Sequence, residues 1–226
     1  TPIKSSAASD VYKRQHINFA PDMDVNSNVD NPVIGLRSFG ENPEAVSEKG
    51  IAYARGLEST GILSVSKHFP GHGDTKEDSH TGAAIVNKTL DELRMAEFIP
   101  FQSGIEAGVD GVMVGHLQVP QVTGTNIPAT LSPIIVTDIL RNELGFQGLV
   151  ITDSLSMGAI TQYYSSDEAA VLSLQAGADI LLMPEDFPLA YQGVLNAVSS
   201  GALSEERIDE SVKRILTVKY NRGIIE

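Results

Sequence analysis

The sequence predicts an α/β chain of the TIM-like (β/α)8 barrel class, incomplete, with the first strands missing. Three observations predict it. From Ile17 onward short apolar runs alternate with longer helical patterns, the runs end in polar residues, and the connections back to the next run are short and marked by glycine. The candidate strands are residues 17–20, 62–66, 111–114, 148–152 and 179–183. Each is almost continuously apolar, as a strand must be when helices cover both faces of a parallel sheet.

The helices between them carry chemical start and stop marks. Residues 43–59 open on Pro43 and are closed by Thr60-Gly61. Thr89 and Glu92 have the spacing of a capping box, residues 97–107 are closed by Gly108, and Ser132 stands before Pro133 at an expected first helical position. Ser204 precedes Glu205 and Glu206, and the last helix ends with Lys219 and Arg222, cations that suit the negative end of its dipole. Repeated strand-helix order predicts parallel strands joined by right-handed crossovers.

An open doubly wound sheet would carry a glycine-rich turn after its first strand, and Ala20-Pro21-Asp22-Met23 is not one. A barrel explains more, because functional groups collect at the C-terminal ends of barrel strands. Here those ends carry Asp22 and Asp24, Lys67 and His68, His116, Asp153, and Glu185. Five strands are three short of a closed barrel. The expectation is a leader at residues 1–15, basic, aperiodic and non-native or disordered, followed by one partial barrel domain over residues 16–226.

Composition narrows the function. In 226 residues, 42% hydrophobic and 20% charged, no apolar run approaches the ~20 residues of a membrane helix. Lys and Arg number 16 against 29 Asp and Glu, a net charge of −13, which repels nucleic acid and anionic bilayers. The absence of cysteine excludes disulfides, thiolate nucleophiles and Cys-ligated zinc.

The segment 67–80 holds three of the five histidines among glycines and a proline, directly after a buried strand. That crowding suits a shaped active-site loop. Three chemistries could use it. His68, His72, Asp74, Asp78 and His80 could hold a metal, although no His-x-x-x-His pair lies on a helix. Ser79 or Ser154 could attack an acyl group, but neither lies in Gly-x-Ser-x-Gly. A carboxylate on one strand end could work with a proton donor on another, the arrangement that glycoside hydrolysis requires. Taken singly, Asp153 could also be a helix cap for the segment after it.

The stretch KHFPGHGDT-x-x-DSH, with NFAPDMDVNSN-x-DNPVIGLRSFG before it and GLVITDSLSMGAI after it, resembles glycoside hydrolase family 3, in its bacterial β-N-acetylglucosaminidase branch. The likeness runs from about Ile17 to the end of the chain. It implies a retaining hydrolase that removes terminal β-linked N-acetylglucosamine from peptidoglycan-derived glycans such as muropeptides, with no metal or other cofactor. It also assigns roles: Asp153 as nucleophile, His80 as general acid/base with Asp78 as its partner, and Lys67, His68 and Arg37 as sugar contacts. An imidazole suits proton transfer near neutrality, and an adjacent carboxylate orients it. The family's first strand ends in Asp-Gln-Glu-Gly-Gly, which this sequence lacks, so an unclosed barrel and an inactive or aggregation-prone isolated chain are expected. Two other readings share the fold: a phosphorylase of N-acetylglucosaminides, and a non-catalytic sugar-binding barrel.

Overall fold

The structure, a computed structural model, describes residues 15–76, 82 and 84–226. The leader expected at 1–15 therefore falls outside the described residues except for the exposed Gln15. In chain order the elements are β1 (Ile17–Asn18), α1 (Pro43–Glu58), β2 (Leu63–Phe69), β3 (Ala84–Ile85), α2 (Leu90–Met95), α3 (Phe98–Glu106), β4 (Gly111–Val114), β5 (Leu117–Gln118) and α4 (Pro120–Thr123). A π-helical segment, Ile134–Glu143, leads to β6 (Leu149–Thr152), α5 (Gly158–Thr161), α6 (Ser166–Ala176), α7 (Phe187–Ser200) and α8 (Glu205–Asn221).

The main sheet is parallel throughout, in the order β1-β2-β4-β6, with a helix between successive strands. This is the wall of a TIM-like barrel. Side chains alternate across it. Val112, Val114 and Val150 enter the main core with Ala54, Phe98, Phe101, Ile135, Val136 and Ile139 from the helical layer. Val65, Met113, Leu149 and Ile151 form a second row, against which Ile215 and Val218 of α8 pack. Every residue of β4 and β6 is buried, as their unbroken apolar runs require.

Side-chain caps stand at three of the helix starts marked in the sequence. Thr89 and Glu92 form the full reciprocal box, Ser204 accepts the Arg207 N–H, and Asn42 accepts the Ala45 N–H before Pro43. Ser132 differs from expectation. It terminates the short 3-10 turn Ala129–Leu131, and the segment after it starts at Ile134 with no side-chain cap.

The expected strand at 179–183 is also corrected, since only Ile180 bridges to Ile151. Backbone bonds still tie Asp179 and Ile180 to Val150 and Thr152 to Ile180, while side chains take two of the N–H groups. The Asp179 carboxylate accepts the Val150 N–H at 2.9 Å, and the Thr152 hydroxyl accepts the Leu182 N–H at 2.9 Å. Asp179 is fully buried and also binds Arg141 at 2.5 Å, Arg214 at 3.1 Å and Ser211 at 2.7 Å. At the same rim Arg222 chelates Asp110 through two contacts of 2.7 Å. The β3–β5 pair had no counterpart among the expected strands. No described helix is long and apolar enough to cross a membrane.

Candidate active site

Strand register decides which side chains share a rim. Phe69 lies opposite Val114, and Val114 opposite Thr152, so the C-terminal ends of β2, β4 and β6 are level. Lys67 and His68, His116, and Asp153 consequently stand at one end of the sheet. A parallel bridge between Asp22 and Lys67 adds the extended segment after β1. The Ala20–Pro21, Lys67–His68 and Phe69–Pro70 peptides are cis.

Asp24 is the centre of the hydrogen bonding there. It is fully buried, and its carboxylate accepts the His68 N–H at 3.2 Å, the His72 N–H at 2.6 Å and the His68 ring at 2.8 Å. Arg37 Nη2 approaches His68 Nε2 at 3.3 Å. A guanidinium can only donate, so Nε2 is the acceptor and Nδ1–H donates to Asp24. The imidazole is therefore neutral, and burial takes its pKa down to about 4. Arg37 also stands 3.5 Å from Asp22 Oδ2.

Asp153 follows β6, where its N–H donates to the Val114 carbonyl and its own Oδ1 accepts the Ser154 N–H at 2.8 Å. Burial pushes the carboxyl up. The net direction is nonetheless downward, towards a stable anion, with the Ser154 N–H and the Lys67 ammonium acting on the carboxylate while His68 is neutral. Lys67 moves down as well, through burial and the charge of Arg37, with Asp22 and Asp153 opposing. The helix-cap reading of Asp153 does not hold, because α5 starts at Gly158 with Met157 before it and no side-chain cap. His116 is held between Thr130 at 2.8 Å and the Ser154 carbonyl at 2.8 Å, which fixes the turn that carries Asp153.

The structure thus brings Arg37, Lys67, His68 and Asp153 together. Asp78, Ser79 and His80 lie outside the described residues. Asp74 binds Ser27 at 3.2 Å and faces Lys88 at 3.8 Å, and Glu185 is exposed. His72 shares Asp24 with His68 and bonds Thr75 at 2.8 Å. The compact group is instead Asp22, Asp24 and His68, with one ligand-type atom from each within 4.8 Å of the others.

Two features escaped the sequence reading. One is the coupling of Asp22 to Asp24, signalled by their i, i+2 spacing, which places both side chains on one face of an extended segment. The other is the pinning of the 71–76 loop by the 25–34 segment: Asn31 donates to the His72 carbonyl at 2.9 Å and Asn28 to the Thr75 carbonyl at 2.9 Å. Gly73 is required for that approach, since a Cβ there would lie 1.8 Å from the Val25 carbonyl oxygen. Gly73→Ala should push the loop off its support and speed amide hydrogen exchange over residues 71–76. Unchanged exchange there would contradict this.

The chain resembles known proteins in both sequence and fold. The chain is 38% identical over 224 residues to beta-hexosaminidase A of Pseudoalteromonas piscicida, covering 90% of this chain and 38% of that protein. It is 42% identical over 211 residues to beta-hexosaminidase LpqI of Mycobacterium tuberculosis, covering 90% of this chain and 54% of LpqI. It therefore spans about half or less of these relatives' length. A solved glycoside hydrolase family 3 β-N-acetylglucosaminidase from Paenibacillus sp. str. FPU-7 superposes with a TM-score of 0.94 at 42% identity, covering 98% of this chain and 43% of that one. The profile described as "Glycosyl hydrolase family 3 N terminal domain" matches residues 6–218, and the chain belongs to that family.

Proposed function

We propose that this chain carries the catalytic barrel of a retaining β-N-acetylhexosaminidase acting on terminal β-linked N-acetylglucosamine, with peptidoglycan-derived glycans as substrates. The observation that supports it most is the Asp153 carboxylate, held low in pKa on the rim that presents Lys67 and His68. An ionised carboxylate beside fixed hydrogen-bond donors is what attack on an anomeric carbon needs. The naming of the relatives above as beta-hexosaminidases supports the same class.

In the first step an Asp153 oxygen bonds to the anomeric carbon as the bond to the aglycone oxygen breaks, and His80 gives its proton to that oxygen. In the second, water attacks the same carbon, His80 takes the water proton, and the carboxylate leaves. Asp78 orients the ring and stabilises the imidazolium. Lys67 and Arg37 donate to sugar hydroxyls, and neutral His68 stands between Arg37 and Asp24 to hold that fork in place.

The test is a 5-fluoro N-acetylglucosaminyl inactivator, which keeps the 2-acetamido group and slows the second step. A glycosyl label on the peptide containing Asp153, with the β-anomer as first product of ordinary turnover, is expected. Label elsewhere, an inverted product, or turnover that requires phosphate would overturn the reading. His80→Ala should slow substrates with poor leaving groups by roughly 10²–10⁴-fold while sparing glycosylation from activated aryl glycosides. Equal losses on both substrate types would remove His80 from its role.

A further inference from the structure

We propose that His116 carries a proton on both ring nitrogens, and that this buried imidazolium, acting through Ser154, is the positioning residue that holds Asp153 in place as an anion. The use of that anion in the reaction rests on the function proposed above; the state of the ring and its effect on Asp153 do not.

Donors and acceptors around the ring leave one consistent arrangement. His116 is buried just past the end of β4. Its Nε2 lies 2.8 Å from the Ser154 carbonyl oxygen, which can only accept, so Nε2 carries a proton. Its Nδ1 lies 2.8 Å from the Thr130 hydroxyl, which in turn lies 2.8 Å from the Gly115 carbonyl and 3.1 Å from the Val114 carbonyl. Thr130 has one proton to give. Directed at the Gly115 carbonyl, it makes the hydroxyl an acceptor towards the ring, and Nδ1 must then donate. Directed at Nδ1 instead, it sets the hydroxyl lone pairs against the Gly115 oxygen. A ring protonated at Nδ1 alone sets Nε2 against the Ser154 oxygen. Every neutral form therefore leaves two lone pairs facing at 2.8 Å, and only the imidazolium avoids it.

A buried cation needs a counter-charge, and the turn after β6 supplies one. Ser154 joins the two groups: its carbonyl takes the His116 ring N–H at 2.8 Å, and its own N–H goes to Asp153 Oδ1 at 2.8 Å. Burial opposes the Asp153 anion. Of the two imidazoles placed to act against burial, His68 is neutral, which leaves His116 to supply positive charge beside the Lys67 ammonium. Among the described residues, the titratable groups on the strands flanking β4 at this end are Lys67 and His68 of β2 and Asp153 after β6, while the 3-10 turn Ala129–Leu131 brings only the Thr130 hydroxyl. A fixed cation behind the carboxylate keeps it ionised before attack and stabilises it as it leaves the anomeric carbon in the second step. The ring itself transfers no proton.

Ring-nitrogen NMR of the full chain labelled at histidine, beside carboxyl-carbon NMR at aspartate, tests both halves. His116→Gln is the informative variant, because its amide can donate to the Ser154 carbonyl and accept from Thr130 yet carries no charge. At pH 7 the histidine signal that this variant lacks should show two protonated nitrogens. The Asp153 carboxyl, identified by its loss in Asp153→Asn, should titrate about one pH unit higher in His116→Gln. In an active protein that carries this barrel, the acid limb of kcat/KM should move up by the same amount while the alkaline limb stays. A neutral His116 ring at pH 7 would overturn the imidazolium whether or not the protein hydrolyses glycosides. A doubly protonated ring with an unmoved Asp153 titration would remove the hold on the carboxylate. A moved titration with an unmoved acid limb would count against the reaction proposed for Asp153 and leave the imidazolium standing. Should His116→Gln not fold, the wild-type spectrum still decides the ring, and Thr130→Val, which lacks the acceptor for Nδ1–H, should leave a proton on Nε2 alone; two protons there would contradict the assignment.

Discussion

In an active protein that carries this barrel, Asp153→Ala should lower kcat/KM on aryl N-acetylglucosaminides by on the order of 10⁴-fold or more, because no other described carboxylate stands ready to take its place. Asp22 is engaged by the Asp24 N–H and Arg37, and Asp24 is committed to His68 and His72. The neighbouring geometry should survive the change, since the turn is fixed by the Asp153 backbone N–H on Val114 and by His116 on the Ser154 carbonyl. Affinity for N-acetylglucosamine should therefore remain within a small factor of wild type while turnover disappears. Losing both together would mean that Asp153 supports the pocket instead of reacting in it, and isothermal titration beside initial-rate kinetics separates the two results.

Asp179→Ala should cost about 3–5 kcal/mol of stability, the expected penalty for stripping the buried carboxylate from a cationic cluster. Arg141 is nearly buried and Arg214 about three-quarters so, and both bond Asp179 directly. The Val150 N–H loses its acceptor as well. For a domain of this size the melting temperature should fall by roughly 10 °C. Thermal and urea unfolding measure it, and a shift of only a degree or two would show that the arginines find other partners. Asp179→Asn should fall between, since an amide oxygen can still accept from Val150.

Local chemistry was legible in the sequence wherever it depended on neighbours in the chain. The strand 111–114 was bounded by its own apolar run, and the Thr89 and Ser204 caps by residues three positions on. The parallel direction of the strands followed from the alternation, and with it came the gathering of Lys67, His68 and Asp153 at one rim. Features made by distant partners were not legible. The 179–183 segment looked like a strand because four of its five residues suit one, yet the Asp179 side chain takes the Val150 N–H and binds residues 29 to 38 positions away, and the bridge to β6 stops at Ile180. Likewise, Asp24 could be placed at a strand end, but its partners are 44 and 48 positions distant, and nothing nearby in the chain announces them.

The placement of α8 has a consequence for synthesis. Ile215 and Val218 cover one row of the sheet, and Arg222 reaches back 112 positions to Asp110. At cellular translation speeds that interval takes roughly 6–22 s, during which Val65 and Met113 wait without their cover. A nascent chain stalled before Arg222 should be an unusually good chaperone client, and should lose that character once the final turn is released.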